Sequence, residues 1–488
     1  MAEKVDGGPV PTGSAALDDI LDGGYARNRI HLLEGRPGSG KTTLALQYLL
    51  AGRARGEKCL YITLSESRAE LMHAASTHGF DLEGIEIFEL VPPELSLDVE
   101  REQTVLYFSE LELGETVELV KEAVTRVAPA LVVFDSLSEI RLLSHNVLRF
   151  RRQVLALKHF FAQHECTVVF LDDVTNEDED LNLHSLVHAV MRLEQRPAAY
   201  GKARRRLRVY KMRGRDFRSG FHDFEIRSGG VAIFPRLVAA EHEMPVEDDA
   251  QVPSGVEALD TIVGGGLHRG TTTLLIGPAG AGKSTLCMRY FLTALERGEK
   301  ALFISFDETR RNFLRRAGGI GMNFAPYIES GHFIFRQVDP AELSSGELTD
   351  MVVSHVSNGV GMLAIDSLAG YQHALPEESF LLLQMHELLT FLNQQGVVSM
   401  LVIAQSGIIG NMQSPVDITY LSDTVMLLRF FELDGNLRRA LSVVKKRTGA
   451  HETSIRELRI GSNGIEVGEP LSGFRGIMTG SPTVRELD

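Results

Sequence analysis

The chain has 488 residues, which is too many for one hydrophobic core, and its 44% hydrophobic and 24% charged content is typical of globular protein. The formal net charge of −15 argues against a general nucleic-acid surface, because phosphate contacts need clustered lysine and arginine. No apolar run approaches the roughly 18 residues of a membrane span and no secretory pattern opens the chain, so we expect a cytoplasmic protein.

The first strong pattern is a phosphate-binding loop between a strand and a helix. The run RIHLLEG predicts a buried strand, and TTLALQYLLAGRARG predicts the helix after it. Between them the sequence fits GxxxxGK[ST], in which glycines turn backbone N–H groups toward a phosphate, the lysine adds charge and the hydroxyl can hold Mg²⁺. The predicted ATP-binding residues are Gly35, Pro37, Gly38, Ser39, Gly40, Lys41, Thr42 and Thr43.

Two later strands of this half end near carboxylates suited to the same site. The run ALVVFDS predicts a buried strand that ends at Asp135, where the carboxylate can share a Mg²⁺ shell with Thr42. Glu66 follows the strand CLYITL and is the candidate to orient or deprotonate the attacking oxygen. A surface carboxylate at the start of the next helix is the alternative interpretation of Glu66.

A basic cluster and an acidic segment close the first half. The cluster consists of Arg204, Arg205, Arg206 and Arg208, and it is the one local feature that could favour nucleic acid. The segment EHEMPVEDDAQ, residues 241–251, is acidic and poor in apolar residues, which suits a linker. We therefore expect a domain boundary near residue 247.

The rest of the chain repeats the first half. The segment from Val252 aligns without a gap on the segment from Val10, and Gly277 stands 277 − 35 = 242 positions after Gly35. Two copies of one α/β domain follow, at residues 1–247 and 248–488, each predicted as a mostly parallel twisted sheet with helices on both faces. The second P-loop adds the predicted ATP-binding residues Gly277, Ala279, Gly280, Ala281, Gly282, Lys283, Ser284 and Thr285.

The second half repeats the carboxylates with one change. Asp366 ends a strand and, with Ser284, is the predicted Mg²⁺ pair of this half. Asp307 and Glu308 are its catalytic candidates, but the first half has Ser65 in place of the aspartate. We therefore expect the two sites to differ in rate or task.

Further motifs recur in a fixed order along the chain. They include the lead-ins TGSAALDDILDGG and SGVEALDTIVGGG, the segments ITLSES and ISFDET, the pair DSLSE and DSLAG, and the later stretches ITYLSDTVMLLR, KKRTGAHETSIREL and FRGIMTGSPT. Over essentially its whole length the sequence resembles the KaiC family of RecA-superfamily ATPases. The resemblance implies ATP and Mg²⁺ as cofactors, and a double-ring homohexamer that binds ATP at the seams between subunits and signals through an unidentified partner protein.

Two lysine–arginine pairs match residues that act across the subunit seam in this family. By position they are Lys211 and Arg213 in the first half, and Lys445 and Arg447 in the second. An arginine supplied by a neighbouring subunit stabilises the charge of phosphoryl transfer, so activity depends on assembly. The resemblance also places the arginine cluster at the ring interface or near the nucleotide rather than on nucleic acid.

The resemblance further implies an autokinase with altered acceptors. The family's clock protein phosphorylates an adjacent serine and threonine, and these positions match Thr419 and Tyr420, which leaves Thr419 as the candidate phosphoacceptor. Asp307 replaces a glutamate general base of that protein, and a reach shorter by about 1 Å can cost on the order of a hundredfold in rate. The chain stops soon after GSPT, so we do not expect a KaiA-type activator.

Two other functions share the same core. A DNA-dependent ATPase of the recombinase or helicase kind would bind single strands in a salt-sensitive way. A nucleotide-assembled scaffold would use its first half mainly to hold the ring together, a hypothesis that Ser65 and His188, which stands where the second half has Asp423, motivate. We expect the ATP-driven signalling or timing switch over both alternatives.

Overall fold

A computed structural model of the chain describes residues 7–90, 108–144, 146–174, 183–197, 201–242, 250–368, 370, 381–405, 419–477 and 483–484. The chain divides into two compact units, Met1–Arg236 and Leu237–Asp488. The boundary expected near residue 247 lies outside the described residues, and it stays a prediction.

The first unit is built on a nine-stranded sheet of order β3-β2-β4-β5-β1-β6-β7-β8-β9. The six strands from β3 to β6 are parallel, and β7, β8 and β9 continue the sheet as antiparallel neighbours. The strands are β1 (Ile30–Gly35), β2 (Cys59–Thr63), β3 (Glu86–Glu89), β4 (Leu131–Asp135), β5 (Thr167–Asp173), β6 (Ala189–Arg196), β7 (Arg204–Met212), β8 (Phe221–Arg227) and β9 (Gly230–Phe234).

Helices connect these strands. They are α1 (Ala15–Ile20), α2 (Lys41–Ala54), α3 (Arg68–Thr77), α4 (Phe108–Val127), α5 (Leu137–Ser144) and α6 (Val147–Gln163). The start of α3 is fixed by a capping box, in which the Ser67 side chain accepts from the Glu70 N–H and the Glu70 side chain accepts from the Ser67 N–H. The P-loop lies between the end of β1 and the start of α2, as the sequence predicts.

The second unit repeats this sheet in the order β14-β13-β15-β16-β12-β17-β18-β19-β20. This unit also has two separate two-stranded sheets, β10 with β11 and β21 with β22. The strands are β10 (Gln251–Val252), β11 (Leu267–His268), β12 (Thr272–Gly277), β13 (Lys300–Ser305), β14 (Phe333–Gln337), β15 (Val360–Asp366), β16 (Val398–Ala404), β17 (Thr424–Leu433), β18 (Asn436–Lys446), β19 (Arg456–Gly461), β20 (Gly464–Pro470), β21 (Phe474–Arg475) and β22 (Thr483–Val484).

The helices of the second unit follow the same plan. Short 3₁₀ turns cover Ala239–His242 and Thr419–Leu421, and the first of them packs on the last helix, where the Ala239 N–H donates to Glu387 Oε2 at 2.9 Å. The α-helices are α7 (Glu257–Ile262), α8 (Lys283–Glu296), α9 (Arg310–Gly319), α10 (Ala325–Glu329), α11 (Ser345–Ser357) and α12 (Leu381–Gln394).

Each sheet is buried on both faces. In the first unit Leu44, Tyr48 and Leu49 of the P-loop helix pack on one face, and Val154, Leu157 and Phe161 of α6 pack on the other. Strands buried on both faces need continuous apolar runs, which is why the short aliphatic segments predict them correctly. The predicted fold class, two tandem RecA-like α/β domains, is confirmed.

In the part of the chain that the structure describes, no helix has both the length and the apolar character that a membrane span requires.

Candidate active site

The two P-loops have the same backbone shape. Gly40 and Gly282 precede α2 and α8 with φ of 105° in both cases, a left-handed conformation that favours glycine. A Cβ at Gly40 would lie 2.8 Å from Ile226 Cδ1, and one at Gly282 would lie 2.6 Å from Ile460 Cδ1. Neither glycine therefore has room for a side chain, and each loop leads into the N-terminus of a 14-residue helix, a position that suits phosphate.

Each P-loop lysine is buried, and its ammonium group donates hydrogen bonds to the first two carbonyl groups of its own loop. Lys41 Nζ donates to Gly35 O at 2.9 Å and to Arg36 O at 3.2 Å. Lys283 Nζ donates to Gly277 O at 2.8 Å and to Pro278 O at 2.7 Å. Burial lowers the pKa of Lys283 to about 8, against the opposing attraction of Asp366.

One atom of the first loop supports a phosphate ligand directly. Ser39 is fully buried, and its Oγ has no hydrogen-bond partner among the described residues. A buried hydroxyl without a partner is costly, so a ligand oxygen beside it would be favoured. The predicted residues of this loop, Gly35, Pro37, Gly38, Thr42 and Thr43, all lie around Ser39 and Lys41 in one strand–turn–helix segment.

The predicted Mg²⁺ pair of the first half is bridged by a tyrosine. Asp135 is buried at the end of β4, and its Oδ2 accepts from the Tyr61 hydroxyl at 2.5 Å. Thr42 in turn hydrogen-bonds the Tyr61 oxygen. Burial raises the pKa of Asp135 to about 6, and the Tyr61 hydrogen bond opposes the shift.

The second half brings its pair together directly. Phe303 replaces the tyrosine, and Ser284 hydrogen-bonds the Asp366 carboxylate itself. Burial raises the pKa of Asp366, and the Ser284 hydrogen bond opposes this. A hydroxyl and a carboxylate beside a P-loop are the protein oxygens that Mg²⁺ takes together with substrate phosphates, so both halves fit that ion.

Glu66 lies just after β2, one residue before the cap of α3. Thr63 holds its backbone, since the Glu66 N–H donates to Thr63 Oγ1 at 3.1 Å. The side chain is half-buried, and its Oε2 is buried without a partner among the described residues. Burial raises the pKa of Glu66, and nearby Glu70 adds to the rise, which are properties expected of a general base.

The matching carboxylates of the second half are held by side chains. Glu308 forms an ion pair with Arg316 of α9, with Oε2 at 2.6 Å from the guanidinium. Asp307 Oδ2 accepts from Ser367 Oγ at 3.0 Å, which places it beside the strand end that carries Asp366. Position 74 of the first half, the counterpart of Arg316, is alanine, so Glu66 lacks this ion pair.

The two lysine–arginine pairs lie at the ends of β7 and β18. In each half they donate hydrogen bonds to backbone carbonyl groups of the turn before the adjacent strand, which is β6 in the first half and β17 in the second. Lys211 Nζ donates to His184 O and Val187 O, and Lys445 Nζ donates to Thr419 O and Ser422 O. The arginines contact carbonyl groups of the same two turns. Arg213 donates to Ser185 O at 2.8 Å, and Arg447 donates to Tyr420 O at 3.0 Å.

Thr419 opens the 3₁₀ turn that Lys445 and Arg447 hold. Its side chain is half-buried, whereas the neighbouring Tyr420 is 55% exposed. The turn ends at β17, where Asp423 Oδ2 accepts from the Thr272 N–H at 2.9 Å. The candidate acceptor therefore lies at the N-terminal end of the strand that pairs with β12.

The arginine cluster is part of the sheet rather than a free basic surface. Arg206 is buried and its Nε lies 3.2 Å from Asp223 Oδ1. Arg208 lies over the ring of Phe221, with 5.3 Å to its centroid. Arg439, the counterpart of Arg205 on β18, donates to Gly280 O of its own P-loop at 3.3 Å.

Sequence reasoning missed three residues at these sites: Tyr61, Arg316 and Asp173. Asp173 ends β5, and its Oδ1 lies 2.6 Å from Lys41 Nζ. An alignment of the two halves offered a signal for Tyr61, which stands opposite Phe303 at the 242-residue offset. The ion pairs of Arg316 and Asp173 depend on helix turns and strand order, which that alignment does not contain.

Comparison with known proteins finds similar sequences over nearly the whole chain. A protein-family model described as "ATPase: KaiC" matches residues 10–238 and 252–472. The chain is 26% identical to the circadian clock protein KaiC3 of Synechocystis over 485 residues, 96% of this chain and 94% of that protein. It is 25% identical to the circadian clock oscillator protein KaiC of Acaryochloris marina over 492 residues, 99% of this chain and 93% of that protein.

Proposed function

The chain belongs to the KaiC family of ATPases, and from that premise we propose that both halves bind ATP with Mg²⁺ and hydrolyse it. One observation carries the proposal: each half groups a buried P-loop lysine, the hydroxyl after it and a strand-end aspartate, which is buried in the first half and half-buried in the second. Two separate segments, the P-loop and a later strand end, supply these groups in each half, and both halves have the same arrangement. A merely glycine-rich turn would require none of them.

Each group has a separate task in this proposal. Lys41 and Lys283 neutralise phosphate charge, as the lysine of a P-loop does. Thr42 with Asp135, and Ser284 with Asp366, would hold Mg²⁺, which supplies further positive charge to the transferred phosphoryl group when it is bound.

The proton of the attacking water goes to a glutamate. We assign Glu66 to this task in the first half and Glu308 in the second, because each follows a strand that pairs with the strand ending in the proposed Mg²⁺ aspartate. Asp307 is held beside Asp366 through Ser367, so we assign it to orient groups near the metal. This difference supports unequal rates in the two halves.

Assembly completes the proposed sites. The relatives are named as clock proteins, and the family resemblance supports a homohexamer in which Lys211, Arg213, Lys445 and Arg447 reach the nucleotide of a neighbouring subunit. Arg447 is 53% exposed at its side chain, which leaves it accessible to such a neighbour. The signalling partner and a cytoplasmic location stay predictions from the sequence.

Autophosphorylation on Thr419 is a second proposed activity. Its support is the turn Thr419–Leu421, which Lys445 holds next to a strand of the ATP-binding sheet. Incubation with ATP and Mg²⁺ followed by peptide mapping should find phosphate at Thr419 and none in Thr419→Ala. An unmodified Thr419 in a protein that still releases ADP would reject the kinase activity and keep the ATPase.

The ATPase proposal is tested by separating the halves in the full-length protein. We expect Glu66→Gln to abolish hydrolysis by the first half and Glu308→Gln that by the second, each by about a hundredfold or more, the usual contribution of general-base catalysis. The first half is read in a Lys283→Ala background and the second in a Lys41→Ala background. Unchanged ADP release in both glutamine variants would contradict the proposal.

A further inference from the structure

The P-loop lysine of the first half already has a carboxylate partner within its own chain. Lys41 Nζ lies 2.6 Å from Asp173 Oδ1, and the lysine side chain is 9% exposed while the aspartate is 32% exposed. Strand pairing sets this contact, because β5 lies beside β1 with Asp173 in register with Gly35, the first residue of the P-loop. The pair is thus built from the two neighbouring strands that carry the site.

The second half has the same backbone without the charge. There β16 lies beside β12 with Ala404 in register with Gly277, the first residue of the second P-loop. The methyl group of Ala404 cannot pair with Lys283, whose Nζ instead donates to Gly277 O and Pro278 O at 2.8 and 2.7 Å. The carboxylate at this register position is therefore the charge difference in direct contact with the lysine.

Asp173 is also held firmly at its backbone. The Asp173 N–H donates to Ser138 Oγ at 2.9 Å, and Ser138 Oγ donates to Asp172 Oδ1 at 2.8 Å. Asp172 is fully buried and forms an ion pair with Arg141 of α5. This anchored strand end presents the Asp173 carboxylate to Lys41 at little further entropic cost.

We propose that Asp173 competes with nucleotide phosphates for Lys41, and so makes the first half the weaker of two ATP sites. The inference rests on the proposed function, since it assumes that both P-loops bind ATP. A phosphate that contacts Lys41 must replace the carboxylate, and two negative groups around one ammonium repel each other. Asp173 is a positioning residue in this scheme, because it acts through Lys41.

The consequence is a fixed order in which the two halves bind ATP. As ATP rises, the second half fills first and the first half fills later, although the two loops have the same shape. The first half would therefore report ATP concentration over a higher range than the second. Domain-specific affinity here comes from one residue outside the P-loop motif.

The test measures ATP affinity at each half in the full-length protein. A fluorescent ATP analogue with Mg²⁺ is titrated into a Lys283→Ala background to read the first half and a Lys41→Ala background to read the second. Asp173→Asn keeps the shape but removes the charge, so the first half should bind about fivefold more tightly, the upper effect of a partly exposed ion pair. Asp173→Ala should tighten binding in the same direction.

The reciprocal variant is the matched control. Ala404→Asp places a carboxylate at the equivalent register position, and it should weaken binding at the second half by a similar factor. Unchanged or weaker binding at the first half in both Asp173→Asn and Asp173→Ala would overturn the inference, and a loss seen only with Mg²⁺ would assign the carboxylate to the metal instead. If the first half binds no nucleotide in any variant, the proposed function of that half fails as well.

Discussion

The strands beside the P-loop have charged residues in the first half and apolar residues at the same positions in the second half. In the first half Glu34, the residue before the P-loop, is buried and binds Arg192 and His184 at 2.7 and 3.0 Å. In the second half the corresponding residues of β12 and β17 are Ile276 and Leu427. One backbone thus accepts either an ion-pair network or an apolar contact, provided that each version is complete.

A second set of differences surrounds the reacting groups. The first half has a tyrosine between its two proposed Mg²⁺ ligands and an aspartate beside its P-loop lysine, whereas the second half has Phe303 and Ala404. The second half instead has Arg316 on its glutamate. The shared motif provides the machinery, and side chains outside the motif make the two copies differ.

The largest effect should come from breaking the buried network on one side only. Arg192→Leu leaves the Glu34 carboxylate buried with only His184, and we expect it to destabilise the first half by about 3–5 kcal/mol, the cost of an uncompensated buried charge. Hydrogen exchange at the amides of β1 reports this stability, and the amides of β12 provide an internal reference because the second half is untouched.

The double variant Glu34→Ile with Arg192→Leu imitates the second half. It should recover most of the lost protection at β1, because both charges are removed together and the apolar pair of Ile276 and Leu427 is reproduced. If the double variant is as unstable as Arg192→Leu, the network stabilises the first half in a way that apolar packing cannot replace, and the equivalence of the two versions is wrong.

A smaller effect should appear in the second half, whose ATP affinity should fall at alkaline pH. Burial lowers the pKa of Lys283 to about 8, and phosphate binding favours the charged ammonium. ATP affinity at this half is therefore complete below pH 8 and lost above it, with a dissociation constant that rises about tenfold per pH unit. Titration of the fluorescent analogue in a Lys41→Ala background between pH 7 and pH 9.5 measures this.

Lys283→Arg is the control for the alkaline limb, since a guanidinium does not titrate in this range. Its affinity should be nearly constant where that of the unchanged lysine falls. An equal decline in both proteins would assign the alkaline loss to a group other than Lys283.

The sequence predicts the parts of this molecule that depend on local pattern and on repetition. Aliphatic runs and the P-loops predict β1, β4, α2 and their second-half copies, because both faces of these strands are buried and the motif fixes the turn between them. Contacts that arise from strand order are different. Asp173 is the last residue of the run CTVVFLDD, which predicts only a buried strand, and its position beside Lys41 requires that β5 and β1 be neighbours.

Arg316 and Tyr61 escaped prediction for related reasons. Arg316 lies eight residues after Glu308, in the second turn of α9, and its ion pair requires the loop before the helix to fold back toward it. Tyr61 is fully buried and resembles an ordinary core aromatic residue in the sequence. Its hydroxyl becomes significant only because β4 lies next to β2 and ends at Asp135.

The smallest effect concerns that hydroxyl. Burial raises the pKa of Asp135 to about 6, and the Tyr61 hydrogen bond holds it from rising further. Mg²⁺-dependent ATP binding at the first half should therefore be complete above pH 6 and lost as pH falls through it. In Tyr61→Phe, which imitates Phe303, the acid limb should move to higher pH by about one unit, which corresponds to the lower end of the value of one hydrogen bond to a charged group.

Mg²⁺ makes this last comparison specific. The shift is measured in a Lys283→Ala background with and without Mg²⁺, and it should vanish without the metal because only metal binding requires the ionised Asp135. Phe303→Tyr in the second half should move its acid limb the opposite way if the new hydroxyl reaches Asp366, whose pKa burial also raises. An acid limb that stays in place in Tyr61→Phe would mean that the tyrosine fills space beside Asp135 without changing the pKa of its carboxyl group. The difference between the two proposed Mg²⁺ sites would then lie in packing alone.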